Sequence, residues 1–159
     1  MGLDMTLYKK TYLGAQYAHN KISGKIEIFK DGKPLSIKLD RVEEIKEEVG
    51  SWRKANQIHG WFIKNIQNGV DEGGHSEEFG IERLYELRAL CKKALETKDA
   101  TLLPPTEGFF FGSSEIDKYY WEDIEHTIEI INRVIPSNAE HFIDGEEDHD
   151  VSFVYYSSW

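Results

Sequence analysis

Apolar and polar residues alternate with a period of two in Lys25-Ile26-Glu27-Ile28-Phe29 and again in Leu35-Ser36-Ile37-Lys38-Leu39, with Asp31-Gly32 between them. Asp-Gly favours a type I′ turn, whose two central residues both need positive φ. Centring a hairpin there pairs Ile28 with Leu35 and Ile26 with Ile37. All four then share one face, which a hairpin with one buried side requires. Met5 to Leu13 is rich in β-formers and predicts a first strand, and Gly14 to Ser23 is a polar, turn-prone connection. At the other end, Val151 to Tyr156 predicts a closing strand after an acidic turn, Asp144 to Asp150.

Helical spacing dominates between these strands. Val42 to Val49 is ambiguous, with four glutamates and three apolar positions, and Ser51 is a fair N-cap for a helix from Trp52 to about Asn65. Gln67 to Phe79 is glycine-rich and acidic and reads as a loop. Ile81, Leu84, Leu87, Cys91, Ala94 and Leu95 make one stripe of a second helix. Ser114 is placed to cap a third, with Asp117 in its first turn and Ile116, Tyr120, Ile124, Ile128, Ile131 and Val134 on its buried side, until Pro136 stops it. The order predicts one α+β domain over residues 1–159: about three helices on an antiparallel sheet that includes both terminal strands and the central hairpin.

Charge narrows the partners. The formal charge of −10 weighs against a sequence-independent grip on nucleic acid and against docking on anionic membranes. A disordered acidic chain is excluded by 40% hydrophobic and 13% aromatic content. A single cysteine makes no internal disulfide, and with no signal-peptide pattern or membrane-length apolar run a cytoplasmic location is expected. Twenty aromatic residues are many for one domain to bury, which makes a homo-oligomer an expectation too.

The densest chemistry lies in Trp52-Arg53-Lys54-Ala55-Asn56-Gln57-Ile58-His59-Gly60-Trp61-Phe62. Read as one helix, Trp52, Asn56, His59 and Ile63 fall in a narrow sector, with Arg53, Gln57, Gly60 and Lys64 beside it. An indole to stack, an amide and imidazole to read polar edges, and a guanidinium for an anion are what a planar phosphorylated ligand needs. The alternative is structural: Asn56 and His59 are buried and bonded elsewhere, while Trp52 and Phe62 fill the core.

Phe111, preceding Gly112-Ser113-Ser114, and Tyr120 are the further candidates to line such a site. The glycine and serines would suit an anion-binding helix start, but Glu115 and Asp117 already oppose that dipole. No cofactor is expected, since neither a Gly-rich dinucleotide fingerprint nor a P-loop is present. No metal is expected either: the acidic turn lacks the EF-hand pattern, and His75 has no second ligand at zinc spacing. Cys91 sits on an inward stripe and reads as a small hydrophobe. No catalytic residue is assigned, although His59 as a general base in a small hydrolase is a weaker alternative.

Three ordered pieces carry a resemblance: Gly2-Leu3-Asp4-Met5 opening into Leu7-Tyr8, the Trp52-Arg53-Lys54-x-Asn56-x-Ile58-His59-x-Trp61-Phe62 segment, and Phe109-Phe110-Phe111-Gly112-Ser113 followed by Asp117 and Tyr120. Together they resemble a group of small proteins carried by bacteriophages, prophages and gut or lactic bacteria, over about the first 135 residues. That family's opening favours an aromatic residue where this chain has Thr6, which bears on strand packing. The family brings no activity with it. Its setting implies a counter-defence factor that sequesters a nucleotide-like signal, or an acidic inhibitor of a basic host protein, acting in the host cytoplasm.

Overall fold

The computed structural model describes residues 2–19, 27–135 and 150–159. Strand β1 (Asp4–Tyr12) lies between β4 (Glu44–Arg53) and β6 (Val151–Ser158) and runs antiparallel to both. A two-residue strand, β5 (Gly74–His75), pairs with the far side of β6, so the sheet order is β4-β1-β6-β5. The two predicted terminal strands therefore form the centre of the sheet, in register from Asp4 opposite Ser158 to Thr11 opposite Val151. Their alternation decides the buried face: Met5 and Leu7 point the same way as Phe153, Tyr155 and Ser157, and all five are buried.

Three helices lie against that face: α1 (Asn56–Asn65), α2 (Ile81–Thr97) and α3 (Lys118–Val134). The α2 stripe buries Leu84, Leu87, Cys91 and Ala94, with Ile81 and Leu95 partly covered. From α3, Tyr120, Ile124, Ile130 and Ile131 face inward. Where β1 and β4 slip register between Leu7 and Tyr8, Gly50 lets α3 come close. A Cβ on Gly50 would collide with Ile130 Cγ2. The α+β architecture is as the sequence predicts. Among the described residues, no helix is long and apolar enough to cross a membrane.

Four local expectations are corrected. The ambiguous segment belongs to β4, which runs past Ser51 to Arg53, so Ser51 caps nothing and Trp52 and Arg53 are strand residues. The β1 edge offers hydrogen bonds along that whole length, and α1 starts only at Asn56, after Lys54 adopts a left-handed backbone at φ 60°. Second, the Asp31-Gly32 turn forms with both φ values positive, and Leu35 N–H donates to Ile28 O at 2.7 Å. Its strands, β2 (Phe29–Lys30) and β3 (Lys33–Pro34), make a separate two-stranded sheet, with Ile28, Leu35 and Ile37 exposed. The larger sheet is already filled by the terminal strands and β4; Ile26 lies outside the described residues.

Third, α3 is capped by Asp117 rather than Ser114. The Asp117 Oδ1 accepts from the Tyr119 and Tyr120 N–H groups at 2.9 and 3.1 Å, leaving Ile116 ahead of the helix and 54% exposed. Fourth, the predicted loop from Gln67 to Phe79 contributes β5 and a bridge from Phe79 to Phe153. Pro136 and most of the acidic turn lie outside the described residues.

Candidate functional site

Helix α1 is buried on most of its circumference: Asn56, Gln57, Ile58, His59, Trp61 and Phe62 are all covered. Its polar side chains must therefore find protein partners, and they do. Asn56 Nδ2 donates to Phe111 O at 3.1 Å and Ser113 O at 2.8 Å, while its Oδ1 accepts from the Thr106 N–H at 3.1 Å. One amide thus pins the segment between α2 and α3 at three points. Gln57 Nε2 donates to Tyr120 O at 3.0 Å, at the first turn of α3.

The six candidate residues part company. Trp52 is buried, its Nε1 donating to Thr127 Oγ1 of α3 at 2.9 Å and its ring tilted against Phe62. Tyr120 donates its hydroxyl to Leu103 O at 2.7 Å. Arg53 points to solvent near Asp4, 3.7 Å from its carboxylate. Trp52, Asn56 and Tyr120 are each engaged in holding elements together. His59 and Phe111 are brought into contact, ring edge to ring face, with centroids 4.9 Å apart.

Around His59 the chain assembles partners from three separate segments. Its Nε2 lies 3.0 Å from Asp71 Oδ2 and its Nδ1 lies 2.7 Å from the Tyr155 hydroxyl. A carboxylate only accepts, so Nε2 carries the proton. Nδ1 then accepts from the Tyr155 O–H, which fixes one neutral tautomer. Burial lowers the His59 pKa below its usual value, against the opposing pull of Asp71. Burial, then the Asp71 charge, pushes the Tyr155 phenol well above its usual range. The result is a carboxylate–imidazole–phenol chain whose imidazole and phenol stay neutral at pH 7.

The chain is incomplete at one end. Asp71 Oδ1 is buried without a hydrogen-bond partner. The Trp159 ring, 40% exposed, stands at this end: its centroid is 5.7 Å from that of His59 and 5.7 Å from that of Phe111. Gly73, at φ 68°, passes directly beneath it, where a Cβ would meet the indole at 3.1 Å. Lys54 runs along Gly112, beside Phe111, and is exposed. The family models, curated proteins and solved structures compared with this chain give no match.

His59 is fully buried and both ring nitrogens are occupied, leaving neither free to take a proton from a substrate. Cys91 is buried, and burial alone pushes its thiol up to about 12, far from a reactive thiolate. Among the described residues, no group of three or more His, Cys, Asp or Glu side chains is placed to hold a metal ion. The Gly112-Ser113-Ser114 segment is used locally, with Ser113 Oγ accepting from the Glu115 N–H.

Sequence reading missed Asp71, Tyr155 and Trp159. Tyr155 alternates with Phe153 on the inner face of β6, so its inward direction is readable once that strand is set. Nothing in the spacing of Asp71 marks it as the partner of His59.

Proposed function

We propose that this protein is a non-catalytic module that binds a small, nucleotide-like anionic ligand at the Trp159 end of the Asp71–His59–Tyr155 chain. The observation that carries this reading is the buried Asp71 Oδ1, an acceptor without a donor, on the same imidazole that the partly exposed Trp159 indole approaches. A planar base with an N–H edge satisfies the carboxylate and stacks on the Trp159 ring. Phe111 and His59 form the wall behind it, and the exposed Lys54, beside Phe111, meets the anionic end, while Arg53 stays with Asp4. Trp52, Asn56 and Tyr120 act by holding α1, the 103–113 segment and α3 around the site. In a phage setting, which rests on the sequence resemblance, the role is sequestration of a host signal as a counter-defence factor.

The test is thermal unfolding and calorimetry against mono-, di- and cyclic nucleotides. A true ligand at 100 times its Kd stabilises by about 2.7 kcal/mol. Asp71→Asn should abolish the preference between bases, and Lys54→Met should weaken every phosphorylated ligand. No shift with any nucleotide rejects the reading.

A second reading, an acidic inhibitor of a basic host protein, is supported by β4. Among the described residues this strand pairs with β1 alone, and it carries exposed Glu44, Glu47 and Glu48 along that edge of the sheet. It predicts salt-sensitive capture of a basic partner; capture indifferent to ionic strength rejects it. Phe109, 95% exposed, with Ile116 and Tyr119, supports the proposed homo-oligomer through an apolar contact near the start of α3.

A further inference from the structure

Among the described residues, the helices cover one face of the sheet and none lies on the other. On that second face Tyr8 of β1 and Tyr156 of β6 stand half-buried on the two central strands, with Val154 opposite Tyr8 and buried among the side chains there. Lys46 leaves the edge strand β4 and crosses Tyr8, its Nζ 4.0 Å from the ring centroid. It reaches to within 3.4 Å of His75 Nε2. His75 belongs to the opposite edge strand, β5, and its ring lies 4.8 Å from Tyr156 and 6.0 Å from Tyr8. Two nitrogens from opposite edges of the sheet thus converge over a floor of tyrosine rings.

The local charge is less adverse to an anion than the net charge implies, because Lys46 stands apart from the acids of this face. Lys10, on the same face, pairs with both Glu44 and Glu78, and Glu78 also accepts from Ser152 Oγ. That one ammonium offsets one of the two carboxylates, so the cluster keeps a single negative charge at the Lys10 end of the face. Among the described residues, neither Lys46 nor His75 is paired with a carboxylate. Glu48, in register with Tyr8, is the acid that faces the group from β4. As they stand, Lys46 Nζ donates to His75 Nε2, which accepts. An anionic oxygen seated between them would receive the Lys46 donor and, with the imidazole proton moved to Nε2, a second from His75, each stronger for meeting a charged acceptor.

We propose that this second face of the sheet binds a phosphate monoester of a flat aromatic group, the phosphate between Lys46 Nζ and His75 Nε2 and the ring on Tyr8 or Tyr156. The phosphate selects the cations, and the ring gains an offset or edge-on contact with a phenol face. This site lies on the side of the sheet opposite Asp71 and Tyr155, and it stands or falls independently of the reading above.

The experiment is an NMR titration of the full chain with phenyl phosphate, with inorganic phosphate and phenol as separate probes. Saturable shifts at Tyr8, Lys46, His75 and Tyr156 are expected, with phenyl phosphate binding more tightly than either fragment. Lys46→Met should weaken it by about tenfold or more, the loss of one charge-assisted hydrogen bond. Tyr156→Leu should weaken phenyl phosphate but not inorganic phosphate. Lys46 is exposed, so its replacement leaves the core intact. The proposal is overturned if no saturable shift occurs at millimolar probe, if the shifts map to Trp159 and Asp71, or if Lys46→Met binds as the parent does. Equal affinity for phenyl and inorganic phosphate overturns the aromatic part.

Discussion

Phe62 and Tyr155 lie face to face, with ring centroids 4.0 Å apart and planes 4° from parallel. The stack fastens α1 to the central strand β6, and the Tyr155 hydroxyl continues past it to His59 at 2.7 Å. One side chain therefore serves the apolar core with its ring and the polar chain with its oxygen. That double role orients α1, because Phe62 and His59 are three residues apart and share a helix face.

Tyr155→Phe separates the two roles. The ring stack survives, but the buried His59 Nδ1 loses its donor, which should cost about 1–3 kcal/mol. Phe62→Ala removes the stack and should cost about 3–5 kcal/mol. Urea unfolding of both variants checks the order; a Tyr155→Phe variant as stable as the parent would mean that the hydroxyl contributes nothing.

Acid should destabilise the fold through His59. Its folded-state pKa lies below the usual 6.5, so the unfolded chain takes up the proton first as pH falls. The stability from the neutral imidazole is fully present above 6.5 and declines below it. A denaturation series from pH 7.5 to about 5 should show that decline, and His59→Gln should remove its share.

Much of the frame was legible in the sequence, for a physical reason. Strands β1 and β6 and helix α2 each bury one side, so their periodicities survive. Strand β4 does not advertise itself: it is an edge strand, with Trp52 its one buried residue, and its glutamates obscure the alternation. The hairpin shows the reverse error, since period two and a good turn set its local register but not where it packs. At the site, the polar residues of α1 were visible as interruptions in an apolar segment. Their partners were not: Tyr155 comes from 96 residues away and Asp71 from a loop with no distinguishing spacing.

Asp123 should act on stability in the opposite direction from His59. Burial raises its carboxyl from 3.8 to about 6, partly offset by the hydrogen bond from Gln57. The folded state therefore holds the proton more tightly, and stability falls as pH rises from about 4 through 6. Asp123→Asn should leave stability near pH 4 unchanged and raise the melting temperature at pH 7. A lower melting temperature at pH 7 would show that the ionised carboxylate is net stabilising there.

The last prediction concerns the segment that carries Phe111 to His59. Asn56 holds it through Phe111 O, Ser113 O and the Thr106 N–H, all contacts of one amide. In Asn56→Ala the Thr106 N–H loses its acceptor and the two carbonyls lose their donor. The variant should lose about 1–3 kcal/mol of stability, and the effect should be local before it is global. Hydrogen exchange at Thr106 should accelerate well beyond that of the β1 and β6 amides, which remain in the centre of the sheet. Asn56→Asp keeps the acceptor and removes the donor, so it should protect Thr106 while still freeing Phe111 and Ser113. Equal acceleration throughout the chain in both variants would mean that Asn56 supports the whole core rather than this segment.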